Sequence, residues 1–297
     1  MMNEPYEKAP VGENNEAKLE PKLYLCATPI GNLGDITQRV LDTLARADVV
    51  FCEDTRNTGA LLKRYGIRAR LESCHEHNEE AAAARVAELI KSGRTAAYVS
   101  DAGMPCISDP GERLVRVFIE RGLPFEVLPG ASASLTAAIM SGLPTKRIFF
   151  AGFLPRENRE RSELIAEIKR ITATTVLYES PHRVGKTLAE LYGVLGERDA
   201  AVVREITKLY EETVRGRLSR LAERYAETEP KGECVIVLSG TAYEGAEPRE
   251  TPEELIERLI GSGMSAKDAA KQAALLLDMP KSEAYAIATR LREELRG

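Results

Sequence analysis

The chain has 297 residues, of which 43% are hydrophobic and 29% are charged, and its formal net charge at pH 7 is −5. This composition is typical of a soluble globular protein of about two ordinary domains. No apolar run reaches about 18 residues, which excludes a transmembrane helix, and the acidic start of the chain excludes a secretory signal peptide. We expect residues 1–20 to form a disordered leader. The five scattered cysteines predict buried, reduced thiols in a cytoplasmic protein.

Strand-like and helix-like segments alternate through residues 21–143, which we interpret as an N-terminal α/β domain. The predicted strands are Lys22–Thr28, Asp48–Glu53, Arg70–Cys74, Thr95–Val99 and Phe125–Leu128. The predicted helices are Thr37–Ala47, Asn57–Tyr65, Glu79–Lys91, Glu112–Arg121 and Ser132–Ser141. This alternation predicts a mostly parallel sheet with helices on both faces.

The segment Ser141-Gly142-Leu143-Pro144 interrupts that alternation and predicts a domain boundary, with a second α/β domain at 144–240. Its predicted strands are Arg147–Gly152, Thr174–Glu179, Ala200–Ile206, Glu212–Arg217 and Cys234–Ser239, and its predicted helices are Arg159–Ile171, Arg183–Leu195 and Leu218–Thr228. The third and fourth strands are close enough in sequence to form a hairpin, so we expect a mixed sheet.

A polar linker at 241–250 precedes a predicted helical extension at 251–297. Thr251 and Glu254 have the spacing of a capping box, with Pro252 at the first helical position. Two further helices are predicted, Ser265–Leu277 and Lys281–Leu295.

Three predicted strands of the first domain each end in a loop rich in glycine and proline. These loops are Ser100–Gly111, Thr28–Asp35 and Leu128–Ala133. Glycine and proline exclude regular helix or central strand there, and a long ordered loop after a strand is usually functional. Because ligands of open α/β sheets bind at the carboxyl ends of the strands, the three loops predict a binding cleft.

Several common motifs are absent or incomplete. The first strand is not followed by Gly-x-Gly-x-x-Gly, and no Gly-x-Ser-x-Gly occurs. Gly185-Lys186-Thr187 resembles the end of a phosphate loop, but Ser180 stands where that motif requires glycine. Cys74-His75-Glu76-His77 could ligate a metal, yet the only other histidine is His182, so a polar loop without metal is favoured.

Charged segments leave a structural and a functional interpretation open. Asp54 or Thr55 could cap the helix that follows, or the segment Cys52–Arg56 could form a wall of the cleft. The basic residues are either an ordinary solvated surface or a surface that contacts an RNA backbone. These residues are Arg156, Arg159, Arg161, Arg204, Lys208, Arg215 and Arg217.

Six segments in order resemble the tetrapyrrole methylase superfamily, and within it the branch of ribosomal RNA small subunit methyltransferase I. They are Leu25–Asp35 (LCATPIGNLGD), Phe51–Arg56 (FCEDTR), Val99–Gly111 (VSDAGMPCISDPG), Leu128–Ala133 (LPGASA), Tyr178–Arg183 (YESPHR) and Lys231–Leu238 (KGECVIVL). The resemblance covers about residues 22–240, and the helical tail also resembles the extension of that branch.

The resemblance implies a two-domain α/β fold that holds S-adenosylmethionine in the cleft between the domains. It also implies a cytoplasmic homodimer without membrane contact that methylates the 2′-oxygen of a cytidine in the decoding region of 16S ribosomal RNA, free or in the 30S subunit. A methylase of a small tetrapyrrole and a non-catalytic RNA-binding assembly factor are the alternatives, because fold alone does not choose a substrate. The net charge of −5 favours a structured particle as substrate.

Site residues follow from the same motifs as hypotheses. The glycine-rich and proline-rich loops allow the main chain to approach a ligand closely, so we expect them to bind the cofactor. The candidate cofactor-binding residues are Thr28, Pro29, Gly31, Ser100, Asp101, Ala102, Gly103, Asp109, Pro110, Pro129, Gly130 and Ser132. Glu53, Asp54 and Glu179 are candidate bases for the ribose hydroxyl, and Lys208 is one only if its pKa is depressed. Arg156, Arg159, Arg161, Arg183 and Arg204 are the predicted RNA surface. No metal is expected.

Overall fold

The computed structural model describes residues 19–75, 78–241, 251–277 and 279–294. The chain divides after Thr241 into two compact units. Nearly all of the predicted leader (1–20) and linker (241–250) lies outside the described residues, as do Glu76 and His77 of the candidate metal segment. The domain boundaries read from the sequence therefore remain predictions.

The first sheet consists of five parallel strands in the order β3-β2-β4-β1-β5. The strands are β1 (Leu23–Cys26), β2 (Val49–Cys52), β3 (Leu71–Ser73), β4 (Ala96–Val99) and β5 (Phe125–Leu128). The helices between and after them are α1 (Gln38–Arg46), α2 (Thr55–Arg64), α3 (Glu79–Lys91), α4 (Glu112–Glu120) and α5 (Ala133–Ser141). β1, β2 and β4 are buried along their whole length, as central parallel strands require.

Alternate residues of β1 enter two different cores, because successive side chains of a strand point to opposite faces. Leu23 and Leu25 pack with residues of α3 and α4, whereas Tyr24 and Cys26 pack with residues of α1 and α2. The helices therefore cover both faces of the sheet, as predicted.

The second sheet is mixed, with the order β6-β7-β10-β8-β9. Its strands are β6 (Ile148–Phe153), β7 (Thr174–Glu179), β8 (Asp199–Arg204), β9 (Glu212–Arg217) and β10 (Cys234–Leu238). Only β6 and β7 pair in parallel, and β8 and β9 form the predicted hairpin. The helices α6 (Asn158–Arg170), α7 (Val184–Leu195) and α8 (Leu218–Glu227) pack on one face.

Helix α5 joins the two sheets. Ala137 and Ala138 are fully buried, and they share a core with Val176, Val203 and Val235 of the second sheet. The helix that follows the last strand of the first sheet thus covers the remaining face of the second sheet. Together with the parallel and mixed sheets, this arrangement confirms the predicted α/β fold class.

The described residues of the second unit form three helices, α9 (Pro252–Gly261), α10 (Ala266–Leu276) and α11 (Lys281–Glu294). Thr251 and Glu254 form the predicted capping box in both directions. Leu255, Ile256 and small residues such as Ala269 and Ala284 make its core. Among the residues described here, no helix has the length and apolarity needed to span a membrane.

All five cysteines are free thiols, and Cys106 alone is partly exposed. Burial raises the pKa of the thiols of Cys26 and Cys74 to about 12, and those of Cys106 and Cys234 to about 11. Burial also raises the pKa of Cys52. The thiols are therefore protonated at neutral pH, and four of the five are buried as predicted, whereas Cys106 is partly exposed.

Candidate functional site

The loop of residues 100–111 follows the central strand β4 and meets the loop after β1. Thr28 and Gly103 exchange two main-chain hydrogen bonds, with N···O distances of 2.9 and 3.0 Å. The Thr28 hydroxyl also donates to the carbonyl oxygen of Ser100. These bonds hold the start of the 100–111 loop over the carboxyl end of the sheet.

The same loop contains unusual backbone conformations. Gly103 has φ +76°, and the non-glycine residues Cys106 and Ser108 have φ +69° and +63°. Left-handed backbone at a non-glycine residue costs about 1–2 kcal/mol, so the surrounding contacts must maintain it. One such contact is the Tyr98 hydroxyl, which donates to the carbonyl oxygen of Pro110 at 2.8 Å.

A cavity of about 360 Å³, the inter-sheet cavity, lies between this loop and the second sheet. Its volume falls within the range of about 300–1,000 Å³ that is usual for small-molecule sites. The lining is mostly apolar with a few polar groups. It includes Ile30, Ala102, Gly103, Met104, Asp109 and Ser132 from the first sheet's loops, and Phe153, Tyr178, Glu179, Ile206, Cys234 and Val235 from the second sheet.

A second and more open cavity, of about 520 Å³, lies beside α2 and is called the α2 cavity here. Its lining comprises Leu33, Asn57, Thr58, Ala60, Leu61, Arg64, Ser100 and Asp101. The Asn57 amide donates a hydrogen bond of 2.8 Å to the Asp101 carboxylate. The 100–111 loop therefore contributes its first two residues to the α2 cavity and the following residues to the inter-sheet cavity.

Two carboxyl groups near the loop have raised pKa values. Burial raises the pKa of Asp109 to about 6, and the charges of Glu53 and Asp101 act in the same direction against a hydrogen bond from Ser100. Burial also raises the pKa of Glu53, again with a contribution from Asp101. Clusters of perturbed carboxyl groups in a cleft are typical of functional sites.

The predicted cofactor residues divide into lining and supporting positions. Ala102, Gly103, Asp109 and Ser132 line the inter-sheet cavity, while Ser100 and Asp101 line the α2 cavity. The remaining candidates, Thr28, Pro29, Gly31, Pro110, Pro129 and Gly130, belong to the three loops that surround the cavities. At Gly130, a Cβ atom would lie 2.6 Å from that of Ala27, so glycine allows the loops after β1 and β5 to approach.

The four candidate bases lie in different environments. Asp54 caps α2, and hydrogen bonds from the Arg56 side chain and amide hold its pKa at about 2. Glu179 is buried, and its carboxylate accepts hydrogen bonds from Thr187 and the amide of Ser180 and pairs with Arg183. Among the three candidate carboxylates, Glu53 is the one that combines partial burial with a raised pKa.

Lys208 does not meet the condition that its role as a base required. Burial alone would lower its pKa, but hydrogen bonds with Glu233 and Glu205 outweigh this effect and raise the pKa above its ordinary value. The ammonium nitrogen lies 2.9 Å from Glu233 and 3.0 Å from Glu205. The side chain is therefore protonated, and its stem packs against Gly31.

Four of the five arginines predicted to contact RNA are paired with carboxylates. Arg159 pairs with Glu163, Arg183 with Glu179 and Arg204 with Glu212. Arg156 is exposed and forms no ion pair with the residues that the structure describes.

Arg161 requires a correction. Its side chain is only 12% exposed and bonds to Glu190 and Thr187, so it ties α6 to α7 instead of facing a ligand.

Comparisons with known proteins agree with this architecture. The family model described as "Tetrapyrrole (Corrin/Porphyrin) Methylases" matches residues 22–222. The chain belongs to the tetrapyrrole methylase family. It is 44% identical over 271 residues to ribosomal RNA small subunit methyltransferase I of Halalkalibacterium halodurans, covering 89% of this chain and 93% of that protein. The protein of the same name from Bacillus subtilis is 42% identical over 269 residues, with 89% and 92% covered.

Solved structures of methylases share the fold. A uroporphyrin-III C-methyl transferase from Thermus thermophilus, complexed with S-adenyl homocysteine, superposes with a TM-score of 0.53 at 20% identity. The match covers 73% of this chain and 97% of that one. The predicted family and fold are thus confirmed.

Sequence reasoning missed several residues that line the two cavities of this methylase. Phe153, Tyr178 and Val235 occupy strands of the second sheet, where an apolar residue looks like ordinary core. The sequence pattern identifies Asn57 only as the start of a helix. Its position directly after the segment Cys52–Arg56 was the one available signal that it could line a site.

Proposed function

We propose that this protein transfers a methyl group from S-adenosylmethionine to the 2′-oxygen of a cytidine in the decoding region of 16S ribosomal RNA. The observation that carries the proposal is the 44% identity, over 93% of its length, to a protein named ribosomal RNA small subunit methyltransferase I. Work on ribosomal RNA also implies a cytoplasmic location.

The methyl donor is S-adenosylmethionine, whose sulfonium group supplies the methyl. The volume of the inter-sheet cavity, about 360 Å³, is in the usual range for a small-molecule site. Its lining is mostly apolar, and its few polar groups can orient a ligand such as S-adenosylmethionine. Gly103 supports the fit: a Cβ atom there would lie 3.2 Å from Ile30 and 3.5 Å from the carbonyl oxygen of Ala131. The missing side chain leaves the main chain of the loop open to a ligand.

Holding donor and acceptor in line is the main task of the protein in such a transfer. Correct orientation of two reactants can lower a barrier by about 7–11 kcal/mol. The Thr28–Gly103 bridge and the bond from Tyr98 to Pro110 support this role, since they fix both ends of the loop that borders the cavities.

A ribose hydroxyl is a poor nucleophile until it loses its proton, and a positioned base contributes about 10²–10⁴-fold. We propose Glu53 for this role, because burial and Asp101 raise its pKa toward the working pH. The pKa of about 2 at Asp54 makes that carboxylate a weaker base.

A homodimer is part of the proposal. On α5, Leu135 and Ile139 lie one turn apart with 56% and 72% of their surface exposed. Val127, on the edge strand β5, is also exposed. Exposed apolar side chains that are neighbours on a helix face are typical of an interface, and we assign Leu135 and Ile139 to contact between two copies of the chain.

The test uses S-adenosylmethionine labelled in its methyl group, with 30S subunits and free 16S ribosomal RNA as alternative acceptors. Nucleoside analysis of the digested RNA should find the label in 2′-O-methylcytidine, and fragment mapping should place it in the decoding region. Label in another nucleoside would change the assigned acceptor atom. Absence of label in both RNAs, with cofactor binding intact, would favour a small tetrapyrrole, which is then offered as acceptor.

A further inference from the structure

We propose that the α2 cavity receives the acceptor nucleotide and that the basic surface beside it contacts the flanking phosphates. This basic surface consists of Lys63, Arg64 and Arg68. The inference rests on the proposed function, because it assumes a polynucleotide substrate. It places the RNA beside the first sheet, whereas the sequence motifs predict an RNA surface formed by arginines of the second α/β domain.

The α2 cavity adjoins the inter-sheet cavity, to which the proposed function assigns the cofactor. Ser100 and Asp101 line the α2 cavity, and the next two residues, Ala102 and Gly103, line the inter-sheet cavity. A donor in the inter-sheet cavity and an acceptor in the α2 cavity are therefore neighbours across one short stretch of main chain. Methyl transfer needs such adjacency, because the reacting atoms must approach to about 3–3.5 Å.

The segment beside the α2 cavity includes positive charges without carboxylate partners among the described residues. Residues 55–71 contain five Lys and Arg side chains and no Asp or Glu, in a chain whose net charge is −5. Arg56 pairs with Asp54, and Arg70 pairs with Glu72. Lys63, Arg64 and Arg68 are exposed and have no carboxylate within 4.0 Å in the part of the chain that the structure describes.

Unpaired cations are available to phosphates at little cost, whereas paired ones must first leave a carboxylate. Each phosphate that a cation neutralises releases counterions and strengthens binding at low salt. Arg64 also lines the α2 cavity itself, so the basic surface continues directly into it. By contrast, Arg159 and Arg204 of the second half are held by Glu163 and Glu212.

The lining of the α2 cavity contains a hydrogen-bonded polar pair, Asn57 and Asp101. The Asn57 amide is bonded to Asp101 at 2.8 Å, and both side chains are exposed. An amide and a carboxylate held side by side offer a donor and an acceptor to a ribose or a base edge. The cavity volume of about 520 Å³ lies in the usual range for small-ligand sites.

The first experiment compares two triple variants with equal loss of charge. Lys63→Ala, Arg64→Ala and Arg68→Ala together remove the basic surface. As the control, Arg113→Ala, Arg116→Ala and Arg121→Ala remove three cations from α4 and its C-cap. We expect the first variant to raise the KM for the RNA substrate at least tenfold, with unchanged affinity for S-adenosylmethionine. For this variant, the slope of the logarithm of the RNA binding constant against the logarithm of the salt concentration should become shallower by about 0.7–0.9 for each phosphate contact that is lost. An equal effect of both variants, or none from the first, would overturn the inference.

The second experiment fills the cavity. Ala60 is an exposed residue of α2 that lines the cavity, and Ala84 is an exposed residue of α3 that serves as the control. Ala60→Trp should abolish methyl transfer while cofactor binding persists, and Ala84→Trp should leave both unchanged. Normal transfer in Ala60→Trp would place the acceptor elsewhere.

The wild-type reaction separates the two hypotheses. If wild-type protein labels no RNA, the proposed function fails. If it labels RNA but these variants do so equally well, only this inference fails.

Discussion

The carboxylate of Glu79, the first residue of α3, accepts a hydrogen bond of 3.0 Å from the main-chain N–H of Gly111, the last residue of the 100–111 loop. The same oxygen accepts a bond of 3.1 Å from Leu114, so Glu79 satisfies two free donors at the start of α4. A side chain from one helix thereby caps another and fixes the far end of the functional loop.

Glu79→Ala should lower the free energy of unfolding by about 1–3 kcal/mol, because two buried donors lose their partner. Since the loop borders the inter-sheet cavity, affinity for S-adenosylmethionine should fall as well. Urea denaturation and calorimetric titration measure the two effects. Glu80→Ala is the control, because Glu80 is exposed and forms a surface ion pair with Arg113. Equal stability of the two variants would contradict the capping role.

Gly103→Val should weaken cofactor binding at least tenfold while the fold persists. Valine there would carry a left-handed backbone and contact Ile30, in a loop that lines the inter-sheet cavity. Gly93→Val is the matched control, since Gly93 also has φ +76° but a Cβ atom added there would meet no neighbouring atom within 4 Å. Both variants should lose comparable thermal stability, and only the first should lose affinity in calorimetry. Unchanged affinity in Gly103→Val would remove this residue from the cofactor site.

Glu53→Gln should reduce kcat by about 10²–10⁴-fold, with little change in affinity for either substrate, if its carboxylate takes the ribose proton. Steady-state kinetics with labelled S-adenosylmethionine measure the effect. Asp54→Asn is the informative comparison, because asparagine is also a good helix cap. A loss of turnover confined to Asp54→Asn would transfer the role of base to Asp54.

Asp109→Asn should change how stability depends on pH. The pKa of Asp109 in the folded protein, about 6, exceeds the ordinary value of about 3.9. Its contribution to stability is therefore fully present below about pH 4 and is lost as the pH rises through 6. The stability of the variant relative to wild type should therefore increase between pH 4 and about pH 7. The gain should be of order 1 kcal/mol, since solvent partly screens this half-buried group. Urea titrations at several pH values test it, and a difference constant with pH would refute it.

Leu135→Glu combined with Ile139→Glu should convert the proposed homodimer to monomers. Both side chains are exposed in the single chain, so the substitutions should leave the monomer's own stability nearly unchanged. Sedimentation velocity of wild type and variant measures the oligomeric state. Ile119→Glu is the control, since Ile119 is 63% exposed on α4. A wild-type protein that sediments as a monomer would end the dimer hypothesis.

Elements with clear periodicity and glycine or proline boundaries were predictable from the sequence. The helix Glu79–Lys91 and the strands Phe125–Leu128, Thr174–Glu179 and Glu212–Arg217 occur with the predicted bounds. The partners of charged side chains were not predictable, because they come from distant elements. Arg161 meets Glu190 on another helix, and this contact converts a candidate RNA ligand into a structural residue.

The candidate site also has a part that the sequence indicates and a part that it does not. Gly103, Asp109 and Ser132, which line the inter-sheet cavity, could be proposed from the sequence because they stand in loops that follow strands. The α2 cavity was not, because it exists only where the 100–111 loop passes the side of a helix. Chain order says nothing of that neighbourhood.

The raised pKa values of the five thiols have a practical consequence for measuring motion in this enzyme. Alkylating reagents attack the thiolate, which is scarce at neutral pH when a thiol has a pKa of about 11 or 12. A cysteine introduced at an exposed position would therefore react much faster than the native ones. Spectroscopic labels could be placed on either side of the cleft in the otherwise natural chain, and the approach of the two sheets around a bound ligand could be followed directly.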